Sequence, residues 1–347
     1  MTKNIAYLPG DGVGPEVAGA ARMVSDAAAR KFNVELSFTE CDFGGVAIDR
    51  HGDPFPEQTR ETCAAADAIL LGAVGGPKWD GGVKRPEQGL LALRKDLGLY
   101  ANLRPVKIFK GHEEKSPLKS GRAEGVDMLI VRELTGGIYF GRREEGNEKA
   151  LDECAYSREE VERVARIAFD AARGRSGRVT SVDKANVLAT SRLWRKAVLA
   201  LRDSEYTDVQ LDHELVDAMA MKLIQAPARF DVILTENMFG DILSDEASVI
   251  AASIGLAPSA SIGSGKAGLY EPIHGSAPDI AGEDKANPVG AILSAAMMFR
   301  ISLDAPAAAE AIEDAVSAIL AAGHGTADIG GNDGCCAFTD RVVAALG

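Results

Sequence analysis

Two aspartates four residues apart, Asp241 and Asp245 in Phe239-Gly240-Asp241-Ile242-Leu243-Ser244-Asp245, fall on one face of a helix. Like charges at that spacing repel by roughly a few tenths of a kcal/mol unless a cation resolves them. A hard divalent ion such as Mg2+ or Mn2+ prefers carboxylate, water and other oxygen ligands. Asp217, in Val216-Asp217-Ala218-Met219-Ala220-Met221, offers a third carboxylate from another helix. The competing reading makes Asp241 a helix N-cap and Asp245 a solvated side chain, and capping preference leaves the two readings level.

Three arginines stand on element ends: Arg94 on a helix, Arg104 at the start of a strand and Arg132 at the end of another. Planar guanidinium forks match carboxylates, so three of them facing one cleft would suit a small dicarboxylate. Singly, each is more often a surface residue. Lys184, in Ser181-Val182-Asp183-Lys184-Ala185-Asn186-Val187-Leu188, stands where a strand gives way to a loop. A lysine beside a metal ion and arginines can serve as a base, with Tyr139 as the acid, whereas an isolated lysine is an ordinary surface charge.

The stretch Tyr270-Glu271-Pro272-Ile273-His274-Gly275-Ser276-Ala277-Pro278-Asp279-Ile280-Ala281-Gly282, followed by Asn287-Pro288, is long and irregular. Such loops in compact domains are usually functional. Its small residues permit close approach of a cofactor, and Asp279 is able to accept both ribose hydroxyls of NAD while repelling an extra 2′-phosphate. His274 alone reads as a structural hydrogen-bonding residue. The turn Gly10-Asp11-Gly12-Val13-Gly14-Pro15-Glu16 also joins a strand to a helix, but its spacing is not G-x-G-x-x-G. Pro15 suits a first helical position, and a tight βα turn lining a cleft is the better reading.

These residues need elements to hold them. Short β-branched runs alternate with amphipathic segments at 4–8, 14–31, 34–39 and 68–71, followed by a helix over 87–95. That alternation predicts βαβ units and a largely parallel sheet. Residues 128–133 and 137–141 read as strands around Thr135-Gly136-Gly137, followed by a polar arm at 142–153 and a helix over 158–173. Strands are expected at 178–182, 209–213 and 231–235, and helices at 214–224, 239–252, 289–301 and 306–321. No linker separates lobes, so the chain should cross between them more than once, near Tyr100 and Ser253.

At 347 residues the chain exceeds the usual limit of one core, and two lobes sharing a cleft are expected. Its formal charge of −13, from 51 acidic and 38 basic residues, repels nucleic acid and anionic membranes on average. Binding of an acidic substrate must then come from a local cationic cluster. With no signal-peptide pattern and no apolar run of about 18 residues, a cytoplasmic protein is expected. Five cysteines, Cys41, Cys63, Cys154, Cys335 and Cys336, are odd in number and lack C-x-x-C spacing, which predicts free thiols.

Taken together, the strings 8–16, 75–80, 103–105, 131–141, 181–188, 216–221, 239–245, 274–282 and 292–298 resemble the isocitrate/isopropylmalate dehydrogenase family over nearly the whole chain. The resemblance implies a two-lobed α/β fold with a mixed, mostly parallel sheet and helices on both faces. Residues 1–99 and 253–347 would form the cofactor lobe, and 100–252 the substrate, metal and dimerisation lobe. It further implies that Arg94, Arg104, Arg132 and Tyr139 bind a malate moiety, and that Asp217, Asp241 and Asp245 surround Mg2+ or Mn2+, with Asp217 also touching substrate. Lys184 and Asp217 would come from the second subunit of a homodimer. NAD would lie against Glu87, His274, Gly275, Ser276, Ala277, Pro278, Asp279, Ile280 and Asn287.

The implied reaction is oxidative decarboxylation of 3-isopropylmalate with reduction of NAD, in leucine biosynthesis. By that resemblance Lys184 would help remove the hydroxyl proton and Tyr139 would return a proton to carbon after loss of the carboxylate, with a divalent metal supplying charge stabilisation. Substrate choice would rest with Glu87, Leu90, Leu91 and Val187, since leucines fit an isopropyl group where an isocitrate enzyme would carry Ser and Asn. Relatives acting on D-malate or tartrate can share the paired leucines. A catalytically silent regulatory subunit would usually have lost part of the Arg/Tyr/Lys/Asp set, which is intact here. The tail departs from the family pattern: Gly323-His324-Gly325-Thr326 lacks an arginine that often precedes the threonine.

Overall fold

The computed structural model describes residues 2–119 and 121–347. The chain groups into two compact units, Met1–Leu99 with Phe109–Lys115 and Ala252–Gly347, and Tyr100–Ile108 with Ser116–Ala251. The first unit opens with β1 (Lys3–Gly10), α1 (Gly14–Phe32), β2 (Leu36–Glu40), α2 (Gly45–His51), α3 (Glu57–Ala65), β3 (Ala68–Ala73) and α4 (Pro86–Asp96). The second unit holds β4 (Ala101–Lys107), β5 (Asp127–Glu133), the two-residue strands β6 (Arg143–Glu144) and β7 (Leu151–Asp152), and α5 (Arg158–Arg173). It continues with β8 (Arg178–Asp183), α6 (Ala189–Glu205), β9 (Gln210–Leu215), α7 (Val216–Gln225), β10 (Val232–Thr235) and α8 (Asn237–Ile250). The chain then completes the first unit with β11 (Pro258–Ile262), β12 (Leu269–Pro272), α9 (Val289–Ile301), α10 (Pro306–Ala321) and α11 (Cys335–Leu346).

Strands of the first unit lie in the order β2-β1-β3-β12-β11, parallel except for the antiparallel β11–β12 pair. Those of the second lie in the order β4-β5-β10-β8-β9, parallel except for β4–β5. The sequence explains this arrangement: β3, Ala-Ile-Leu-Leu-Gly-Ala, and β10, Val-Ile-Leu-Thr, are buried at every position, as strands covered on both faces must be. In the second unit, neighbours on β5 point to opposite faces. Arg132 turns toward α8, whereas Glu133 turns toward Arg163 of α5. Ile69, Leu71, Phe43, Phe55 and Leu93 pack one core, and Met128, Ile130, Ile233, Leu243 and Ala247 another.

Arg104 stands midway along β4, not at its start, and α2, α3 and α11 lie outside the segments expected as helices. Residues 137–141 form a 3-10 turn at Gly137–Tyr139, not a strand, because Gly137 at φ 74° reverses the backbone and its carbonyl accepts from Phe140 and Gly141. Helix α6 also goes beyond the sequence reading, although Trp194, Ala197, Val198 and Leu201 repeat at helical spacing on its buried face. All five cysteines are free. Among the described residues no helix is long and apolar enough to cross a membrane.

Candidate active site

The second unit builds an Arg/Asp cluster from one strand pair and one helix. β4 and β5 are antiparallel with Asn102 opposite Arg132, so Arg104, two residues along, shares their face. Helix α8 lies over that face, its Leu243, Ala247 and Ile250 packed on Met128 and Ile130. Asn237, Asp241, Ser244 and Asp245 recur on α8 at helical spacing and meet both arginines.

Arg132 donates from Nε and Nη2 to Asn237 Oδ1 at 3.0 and 2.8 Å, and from Nη1 to Asp241. Arg104 donates to Asn102 Oδ1 at 2.6 Å and Ser244 Oγ at 2.5 Å, and lies 3.4 Å from Asp245 and 3.8 Å from Asp241. Both arginines are buried and are therefore not surface residues. Two cations thus offset the Asp241–Asp245 repulsion. The N-cap reading for Asp241 fails, since the cap is Glu236, whose Oε1 accepts from Phe239 N at 2.6 Å. Gly240 is demanded by close approach: a Cβ there would meet Thr235 Oγ1 at 2.2 Å and the Arg132 stem at 2.7 Å.

The Tyr139 hydroxyl donates to Asp241 Oδ2 at 3.0 Å. Burial, then the Asp241 charge, raise its pKa, so the phenol stays protonated. Burial likewise raises Asp245, with Arg104 opposing. Lys184 Nζ donates to Asp217 Oδ1 at 2.5 Å, and this bond lowers the Asp217 pKa. Lys184 and Asp217 thus form a second cluster, while Val187 beside them is largely exposed. Among the described residues no group of three or more His, Cys, Asp or Glu is gathered to hold a metal. Asp241 and Asp245, two partly exposed carboxylates on one helix face, have the oxygen-donor chemistry that a hard divalent cation takes.

In the first unit Glu87, Leu90, Leu91 and Arg94 line one stripe of α4, at i, i+3, i+4 and i+7. Arg94 is buried, donates to Glu271 Oε1 at 2.9 Å, and leaves its Nε buried without a partner. Leu90 is half-buried against the core of this unit.

The 273–287 loop packs on the N-terminal glycine turn. Val13 N donates to Ser276 O at 2.8 Å, and a Cβ at Gly12 (φ 58°) would stand 2.0 Å from that carbonyl. The glycine turn therefore serves close packing against this loop. His274 Nδ1 lies 2.9 Å from Gly275 O, which can only accept, so Nδ1 carries the proton and Nε2 remains an acceptor. That Nε2 is buried with no partner, and burial lowers the pKa of the ring. An orphaned acceptor, small residues and an exposed Asp279 fit a dinucleotide. Asn287 is buried and donates to Asp328 Oδ2 at 3.0 Å, and Asp328 also receives the Thr326 hydroxyl at 2.5 Å.

Residues 4–342 match the family model described as isocitrate/isopropylmalate dehydrogenase. The chain belongs to this family. It is 55% identical to 3-isopropylmalate dehydrogenase of Bacillus licheniformis over 357 residues, covering 100% of this chain and 96% of that protein. The Bacillus subtilis 3-isopropylmalate dehydrogenase is 53% identical, with 100% and 98% covered. Among solved structures, isocitrate dehydrogenase from Methylococcus capsulatus superposes with a TM-score of 0.89 at 34% identity, covering 99% of each chain. Three residues that hold expected ligand-binding side chains escaped the sequence reading: Glu271 against Arg94, Asn237 against Arg132, and Asp328 against Asn287. Only the Glu271 position was in view, inside the quoted loop string.

Proposed function

We propose that this chain is an NAD-dependent 3-isopropylmalate dehydrogenase of leucine biosynthesis, acting as a cytoplasmic homodimer with Mg2+ or Mn2+. The observation that carries the substrate is the α4 stripe: Leu90 and Leu91 lie one turn from the buried Arg94, an apolar surface beside a guanidinium. That pairing suits a branched hydroxy diacid.

Arg94, Arg104 and Arg132 bind the carboxylates of the malate moiety, with Glu87 and Val187 bordering the substituent. The partner copy's equivalent of Lys184 takes the hydroxyl proton, and Tyr139 returns a proton to carbon after decarboxylation. Asp241, Asp245 and the partner copy's equivalent of Asp217 hold the cation. Residues 274–280, Asn287 and Glu87 hold NAD, with Asp279 selecting against a 2′-phosphate. When bound, these groups supply Lewis-acid polarisation of the oxygen and a hydride acceptor. In this reading 1–99 and 253–347 serve the cofactor, and 100–252 serve substrate, metal and dimerisation.

An apolar face supports the dimer. Met221 and Ile224 of α7 and Ile242 and Val249 of α8, on two helices that pack against each other, are 42–61% exposed. The test is turnover of the purified protein with NAD and Mg2+ on 3-isopropylmalate, D-malate and isocitrate, with NADH formation followed by absorbance. The highest kcat/KM is expected on 3-isopropylmalate. Preference for D-malate would transfer the assignment to a D-malate or tartrate dehydrogenase, and growth of a leucine auxotroph carrying the chain provides an independent check.

A further inference from the structure

Arg132 and Tyr139 reach the same carboxylate, Asp241, from different segments of the second unit. A second side chain touches both segments. Asn237 Oδ1 accepts both Nε and Nη2 of Arg132, at 3.0 and 2.8 Å, while its Nδ2 donates to Gly136 O at 3.1 Å. Gly136 immediately precedes the Gly137–Tyr139 turn. The far side of this junction is also held. Asn237 N donates to the Tyr156 hydroxyl at 3.0 Å, that hydroxyl donates to Glu236 Oε2 at 3.2 Å, and Glu133 accepts from the N–H groups of Thr135 and Gly136 at 3.0 and 2.8 Å. Asn237 is 1% exposed, so substrate cannot reach it.

We propose that Asn237 is a positioning residue that ties the Arg132 guanidinium to the Gly136–Tyr139 turn, so that the carboxylate-binding cation and the proton donor keep one fixed separation. The inference rests on the roles proposed above for Arg132 and Tyr139. Only a side chain with both an acceptor and a donor can make these contacts. A carboxylate in its place would face Gly136 O without a proton, and would add a negative charge against the cation that substrate must engage. A neutral amide orients Arg132 and leaves its charge for the ligand.

The test uses the full-length protein with NAD and Mg2+. Asn237→Ala should lower kcat/KM on 3-isopropylmalate by about tenfold or more, equivalent to about 1.4 kcal/mol. KM for the hydroxy acid should rise and kcat fall together, while KM for NAD stays within about twofold, since the side chains and backbone that Asn237 holds, Arg132, Gly136 and Tyr156, are not residues assigned to the cofactor. Asn237→Asp should raise the substrate KM comparably, and an unchanged KM there would overturn the neutral-amide argument. A purely structural role would lower the active fraction and the thermal midpoint while leaving both KM values unchanged, and that result would overturn the proposal. A crystal structure of Asn237→Ala gives the independent readout. Displaced Arg132 and Tyr139 side chains support the proposal, and unmoved ones refute it even where activity falls. Should the unmutated protein turn over none of the hydroxy acids, the proposed activity fails, and the crystal structure alone decides on Asn237.

Discussion

Asp279 is exposed on the 273–287 loop, where a bound dinucleotide would bring its ribose hydroxyls to a carboxylate. Changing Asp279 to Lys and Ile280 to Tyr should weaken NAD use and improve NADP use. One interaction between unit charges about 4 Å apart is worth on the order of 1 kcal/mol even in water-like surroundings, and reversing its sign about twice that. Unchanged ratios of kcat/KM for the two cofactors would remove Asp279 from the cofactor site. At Leu90 the expected change is in substrate preference. Leu90→Asn should lower activity on 3-isopropylmalate by roughly 1.5–3 kcal/mol in kcat/KM, and on D-malate far less, because only the former fills an apolar surface. Equal losses on both substrates would make Leu90 ordinary packing. At this scale the sequence singled out residues that the structure gathers: Arg104, Arg132, Asp241 and Asp245 meet in one cluster. It was silent on Glu271, Asn237 and Asp328, since a buried neighbour of a functional residue is identified by contacts made across 41 to 177 positions of sequence, and no local spacing encodes those.

Helix α5 shows an element whose ends are written into its sequence. Ser157 accepts from Glu160 N at 3.2 Å, and Glu160 Oε2 accepts from Ser157 N at 2.7 Å, a closed capping box. Ser157→Ala should destabilise the protein by about 1 kcal/mol, read as a lower midpoint in urea without loss of kcat. The other end carries a pH signature. Arg173 holds the Asp208 carboxyl well below its ordinary 3.8, at about 2. A depressed acid stabilises the fold above its unfolded pKa and loses that contribution as pH falls through the folded one. The stability deficit of Arg173→Met should therefore be present above pH 3.8 and vanish toward about pH 2. Equal deficits at both extremes would show that Arg173 acts through packing on Tyr206 instead. Capped or strongly periodic helices such as α5, α9 and α10 were legible with their bounds. The 137–141 stretch misled because Ile138 and Tyr139 carry strand propensity while a single residue, Gly137, sets the local path.

At the scale of the whole molecule, the question is whether one chain can complete its own site. Within the chain Lys184 is bonded to Asp217, while Tyr139 is bonded to Asp241, two clusters of the same unit. Met221, Ile224, Ile242 and Val249 are exposed on the two helices that carry Asp217 and Asp241, where a second copy could pack. Two inactive proteins decide it, Tyr139→Phe and Lys184→Met, mixed in equal amounts after mild denaturation and refolded together. If Lys184 serves the partner's site, one site of each heterodimer combines an intact Tyr139 from one chain with an intact Lys184 from the other, and its companion carries both lesions. Random exchange in a two-fold dimer makes about half the molecules heterodimers, so activity should return to roughly a quarter of the unmutated level. If Lys184 serves its own chain, every site retains one lesion and mixing restores nothing. The shared site would then be wrong, while the family membership and the Arg/Asp cluster on α8 would stand.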